Sequence, residues 1–141
     1  MSEPLLKLLA QDDQDLQVMA AILQDSIAPV CEMRYVASEK NFLLVVHRFC
    51  WDRAKEEGAA AFERITCALD IQGIESVQFI GFDPKAPGTM LDLLTLMSEP
   101  GCLQLVFAAG AQIRLKGQNW RIRLMDFGES WPTTHLPRHL T

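Results

Sequence analysis

The densest chemistry in the chain lies in one hexamer, His47-Arg48-Phe49-Cys50-Trp51-Asp52. A cysteine beside a histidine can act as nucleophile and base. The hexamer continues the strongest strand pattern in the sequence, and residues three apart on a strand leave opposite faces. His47 and Cys50 therefore do not pair without a bulge. Trp51 reads as a core or rim aromatic whose indole N–H finds a bond. His135 and His139 add an H-x3-H spacing of the kind zinc uses. Pro137 breaks any helix that would align them, so neither a metal site nor a cofactor is expected.

A second pair carries more physics. Asp25 closes a predicted helix, at the end where the dipole disfavours a carboxylate. Arg48 sits in an otherwise apolar strand. Each needs an opposite charge, which predicts a bidentate Asp25–Arg48 salt bridge fixing helix to sheet. In a functional version of the same arrangement, Arg48 grips an anionic ligand.

A third feature is local charge. The chain has 141 residues, net charge −5 and a pI near 5.1. General nucleic-acid binding, which needs clustered cations, is therefore not expected. Yet Arg114, Lys116, Arg121 and Arg123 fall between Gly110 and Met125 with no acid among them. Such a stretch is either a solvated face balanced by acidic neighbours or the mark of an acidic partner. No phosphate-cradling glycine loop, G-x-S-x-G or H-E-x-x-H is present. Glu56-Glu57 lies in the most polar stretch, where carboxylates titrate ordinarily and serve acid–base work poorly.

The elements that must position these residues are short. With 49% hydrophobic and 22% charged residues the chain reads as one globular domain over 1–141. Phe42-Leu43-Leu44-Val45-Val46, its longest clean apolar run, is far short of a membrane span. Acids at Glu3, Asp12 and Asp13, in place of a basic start and an apolar stretch, predict a cytoplasmic protein. Four scattered cysteines (Cys31, Cys50, Cys67, Cys102) fit a reducing compartment.

Leu16, Met19, Ala20, Leu23 and Ile27 share one helical face, capped by Asp12 or Asp13 and stopped by Pro29, which predicts a helix over 12–26. Seven strands are then predicted: 30–36 and 42–49 as a hairpin, 62–71, 74–81, 89–97, 103–107, and a short one at Ile113 and Leu115. A helix remains an alternative for 89–97. Residues 52–61 read as an exposed loop. Trp120, Leu124 and Phe127 fall at helical spacing after a possible Asn119 cap, predicting a C-terminal helix ended by Gly128. Residues 129–141 read as an irregular tail. The expected fold is α+β, with about seven short, mostly antiparallel strands between two helices. It is either an open sheet or a barrel like that of pleckstrin-homology domains.

Several strings together resemble a bacterial, mainly alphaproteobacterial, family of domains of unknown function. They are Leu8-Leu9-Ala10, Asp15-Leu16, Leu23-Gln24-Asp25, Tyr35, Phe42, Arg48-Phe49-x-Trp51, Leu105-Val106-Phe107-Ala108-x-Gly110 and Asp126-x-Gly128-x-x-Trp131. They span nearly the whole chain. The resemblance implies a bacterial, cytoplasmic, single-domain protein and brings no activity, cofactor or catalytic residue.

Two functional expectations follow. The first is a non-catalytic binding or scaffolding module for an acidic partner or anionic ligand. Its candidate binding residues are Asp25, Arg48, Trp51, Arg114, Lys116, Arg121 and Arg123. The second is a small enzyme with a composite site around Asp25, His47 and Arg48. A homodimer is compatible with either, because open sheets can pair across an edge.

Overall fold

A computed structural model describes residues 6–49 and 63–132 of the chain. The order is β1 (Lys7–Ala10), α1 (Asp13–Leu23), β2 (Ile27–Pro29), β3 (Arg34–Val36), β4 (Asn41–Phe49), β5 (Glu63–Gln72), β6 (Ser76–Ile80), β7 (Met90–Glu99), β8 (Cys102–Phe107), β9 (Gln112–Lys116) and β10 (Arg121–Pro132). These strands form one ten-stranded open sheet in the order β1-β10-β5-β4-β2-β7-β8-β9-β6, with β3 also paired to β4. Its described pairings are all antiparallel.

Alternation builds the core. On β4, Phe42, Leu44 and Val46 are buried while Asn41, Leu43 and Val45 are half-buried. Cys67, Leu69 and Ile71 of β5 and Ile122 and Leu124 of β10 are buried in the same phase. They join Leu103 and Leu105 of β8, Ile113 and Leu115 of β9, and the buried face of α1 in one apolar cluster. Burying that surface is the main drive for folding.

Helix α1 begins as expected. Asp12 is its N-cap, and its carboxylate accepts a hydrogen bond from the Asp15 N–H at 2.8 Å. Leu16, Met19, Ala20 and Leu23 form its buried face. The helix ends earlier than predicted. Gln24 leaves the helical region at ψ 134, and Asp25 takes a left-handed φ of 65. Ile27, expected on the helical face, instead starts β2. The Asp25 N–H donates to the Leu93 carbonyl at 2.7 Å, and the Leu93 N–H to the Ser26 carbonyl at 2.9 Å. Pairing with β7 satisfies backbone groups that another helical turn would have satisfied internally.

The larger correction concerns the C-terminal part. The helix predicted from Asn119 is strand β10, paired with β1 on one side and β5 on the other. In Arg121-Ile122-Arg123-Leu124-Met125-Asp126-Phe127, alternate residues are buried and exposed, the period of a strand. Trp120, Leu124 and Phe127 match a helix only if Ile122 is ignored. There is thus no closing C-terminal helix, and the pleckstrin-homology-like barrel gives way to an open sheet. Strands β1, β2 and β10 raise the predicted seven to ten. The 30–36 segment divides into a 3-10 turn, Val30–Glu32, and β3. Residues 90–99 are strand, which resolves the helix alternative there. Residues 129–132, expected in the irregular tail, belong to β10, and residues 133–141 lie outside the described part.

Two glycines let loops from distant parts of the chain touch. A Cβ on Gly117 would lie 2.0 Å from the Gly73 carbonyl oxygen, and one on Gly73 would lie 2.5 Å from that of Asn119. Gly73 also needs its φ of +82. The β5–β6 turn thereby packs directly on the β9–β10 loop.

Candidate functional site

The buried apolar rows of β4 and β10 each end on a charge. Arg48 continues Phe42-Leu44-Val46, and Asp126 continues Ile122-Leu124, with exposures of 7% and 2%. Arg48 forks onto Asp126, Nε to Oδ1 at 2.9 Å and Nη2 to Oδ2 at 2.7 Å. The Cys67 thiol donates to Oδ1 at 2.8 Å, and the Leu6 N–H donates to Oδ2 at 3.0 Å. One carboxylate therefore ties β4, β5, β10 and the start of β1 together. The bidentate partner expected in Asp25 is supplied by Asp126.

The reason lies in strand phase. Asp126 falls two and four residues after Leu124 and Ile122, so a strand aims its carboxylate inward, where it requires a cation. That signal was legible in the sequence, but a helical assignment hides it. Burial pushes the Asp126 carboxyl up. The Arg48 fork, the Cys67 thiol and the Leu6 N–H outweigh burial and hold it below the usual carboxylate value. Burial, followed by the neighbouring carboxylate, pushes the Cys67 thiol well up. A thiol so held is a donor and not a nucleophile.

His47, next to Arg48, leaves the opposite face of β4 and sits 3.1 Å from the Thr66 hydroxyl. Burial, and then the charge of Arg64, lowers its pKa, with Glu32 opposing. Arg64 donates from Nη1 to the carbonyls of Asp25 at 3.2 Å and His47 at 3.0 Å. Its guanidinium carbon lies 5.8 Å from the Phe49 ring centre. Arg64 was missed in the sequence because it lies at the start of a strand whose apolar alternation drew attention elsewhere. The composite site of Asp25, His47 and Arg48 is thus divided between two faces of β4. Cys50, Trp51, His135 and His139 lie outside the described residues.

The basic stretch is divided as well. Arg114 and Lys116 are on β9, and Arg121 and Arg123 are on β10, strands that are not neighbours in the sheet. Arg114 is matched by Glu99 at 2.7 Å. Arg121 and Arg123 instead join an outward face. Across it, register places Leu43, Asp70, Arg123 and Leu9 in one row and Val45, Ala68, Met125 and Lys7 in the next. His47, Thr66 and Phe127 follow, while Asn41, Gln72 and Arg121 form the row on the other side. Leu9, Met125 and Phe127 are 47%, 40% and 44% exposed. Asp70 accepts from the Asn41 and Gln72 amides at 3.0 and 3.1 Å. The face thus mixes large apolar side chains with three cations and one carboxylate that is already hydrogen-bonded.

An open cleft of about 820 Å³ lies at the N-terminus of α1, between the β7–β8 turn and the β9–β10 loop. Asp12, Asp13, Glu99 and Arg121 are among the residues that line it. Asp12 caps the helix, Asp13 accepts from the Ser98 hydroxyl, and Glu99 binds Arg114 and Gln104. These carboxylates are spent on the fold, and their sign disfavours an anion. Among the described residues, no cluster of three or more His, Cys, Asp or Glu has the placement to hold a metal.

No helix among the described residues is long and apolar enough to cross a membrane. No curated protein and no solved structure matches the chain. A family model described as "Protein of unknown function (DUF2948)" matches residues 6–139, nearly the length of the chain, and the protein belongs to that family.

Proposed function

We propose that the protein is a non-catalytic docking module that receives an acidic, partly apolar segment of a partner protein on the outward face of β1, β10, β5 and β4. One observation carries this reading: Lys7, Arg121 and Arg123 lie there beside exposed Leu9, Met125 and Phe127 in a chain of net charge −5. An exposed apolar group with a surplus of one sign of charge around it marks a protein contact more often than a catalytic centre. The Asp126 tie lies under the same strands and stiffens them, which reduces the entropy lost on binding. Arg114 and Lys116, on β9, add long-range attraction and no direct contact. The enzyme alternative is weaker, because His47 and Arg48 face opposite ways and the Arg48 fork is committed to Asp126.

We read residues 1–141 as one domain that works in the bacterial cytoplasm. The free thiols of Cys31, Cys67 and Cys102 support a reducing compartment.

Site-specific photocrosslinking in host cells tests the docking face. A crosslinker replacing Phe127 should yield a discrete adduct through an acidic segment of another protein. Reversing Arg121→Glu and Arg123→Glu should remove it. The same probe at Val18, exposed on α1, should not yield it. Adducts indifferent to the charge reversal, or made through a basic segment, would overturn the proposal.

A further inference from the structure

The sheet is open: its path ends on β1 and β6, and β3, which pairs only with β4, is a third edge, three residues long and headed by Arg34. A free strand edge presents unpaired N–H and C=O groups and invites another strand unless something blocks it. Strand β1 is guarded: it begins with Lys7, and α1 packs against it. Among the described residues, strand β6 carries no charge, proline or bulge. It reads Ser76-Val77-Gln78-Phe79-Ile80. Its five residues pair with β9 without a register shift, so no bulge twists it away. No described strand pairs with its second edge.

From these observations we infer that β6 pairs antiparallel with β6 of a second copy, joining two sheets edge to edge around a two-fold axis at Gln78. About that residue the three central positions match in kind. Gln78 meets Gln78, Val77 meets Phe79, and Ser76 meets Ile80. Gln78 is exposed, so its amide is available to bond its copy. Val77, Phe79 and Phe82 are only partly buried and line the rim of the core. Phe79 stacks edge-on to Phe82 at 5.6 Å and lies 6.4 Å from Phe42. A second copy would cover this aromatic rim with its own. Charge permits the approach. Lys40 and Glu75 lie together at one end of β6, and Asp83 and Lys85 follow the other. The two-fold sets one end beside the other, each carrying both signs. The surface is independent of the docking face, so either can fail without the other.

Analytical ultracentrifugation over the micromolar range tests the pairing. Five residues a side make a small interface, so a dimer that dissociates on dilution is expected. Gln78→Lys and Gln78→Glu each oppose like charges across the axis and should weaken the dimer by about tenfold or more. An equal mixture of the two variants should recover it as a heterodimer. That recovery also shows that neither variant has simply misfolded. Arg121→Glu with Arg123→Glu should leave the dimer unchanged. A wild type that stays monomeric, a dimer unaffected by both Gln78 variants, or a mixture no tighter than its components would each overturn the inference.

Discussion

Arg48 and Asp126 are both inside the protein, and neither is tolerable there alone. Removing one member of a buried pair leaves an uncompensated charge, at a cost of about 3–5 kcal/mol. Arg48→Met and Asp126→Asn are each expected to lower unfolding free energy by that amount in urea titrations. Replacing both by Met and Leu should cost much less than the sum. Additive losses would show that the fork is not one energetic unit. The pair also sets an acid limb. The folded carboxyl is held below its ordinary value of 3.8. Its stabilisation is therefore full above that value and declines as pH falls through the lower, folded one. Wild-type stability should drop in that window, and Asp126→Asn should be flatter there. Equal slopes for the two proteins in pH-dependent urea unfolding would contradict the assignment. His47 acts in the same direction nearer neutrality. Its pKa is lowered on folding, so the unfolded chain binds the proton first as pH falls below the ordinary 6.5.

Among the elements, β10 decides most. It holds β1 and β5 on its two edges, supplies Asp126 to the interior and presents Arg121, Arg123, Met125 and Phe127 outside. Its alternation was present in the sequence, but so was a helical spacing of Trp120, Leu124 and Phe127. Seven residues with large apolar groups in both periods do not choose between them. Pairing chooses, because β1 and β5 satisfy the backbone on both sides. The β9–β10 loop that enters this strand is held by backbone contact. Gly117→Ala places a methyl against the Gly73 carbonyl and must displace one of the two loops. A loss of about 1–3 kcal/mol in thermal or urea unfolding is expected. An unchanged stability would mean that the loops part at no cost.

For the whole molecule, charge is distributed against the grain of composition. The chain is acidic, yet the outward face of β1, β10, β5 and β4 is basic and apolar. The cleft at the start of α1 is acidic and spent on internal bonds. Docking on that face should therefore weaken as salt rises, while β6 pairing, which uses no charge, should hold or strengthen. Ultracentrifugation of the dimer and crosslinking yield at Phe127, each run at low and high salt, read the two trends separately.

Much of this was fixed by local pattern alone. Asp12 and the Leu16-Met19-Ala20-Leu23 face specify α1, and the turn before Asn41 specifies the β3–β4 hairpin. The 42–49, 62–71 and 103–107 alternations specify strands whose inward side chains make the core. Local pattern also showed that Arg48 needs a carboxylate. It did not say which one, because that depends on a strand 78 residues away reaching the same depth in the sheet. Nor could it say that the four-cation stretch divides between two strands, since a stretch contiguous in sequence separates wherever a loop turns the chain from one part of the sheet to another. Sequence fixes the phase of each element and the charge each must neutralise. Tertiary pairing decides which elements adjoin, and with that which carboxylate meets Arg48, which face stays open and which edge is left without a partner.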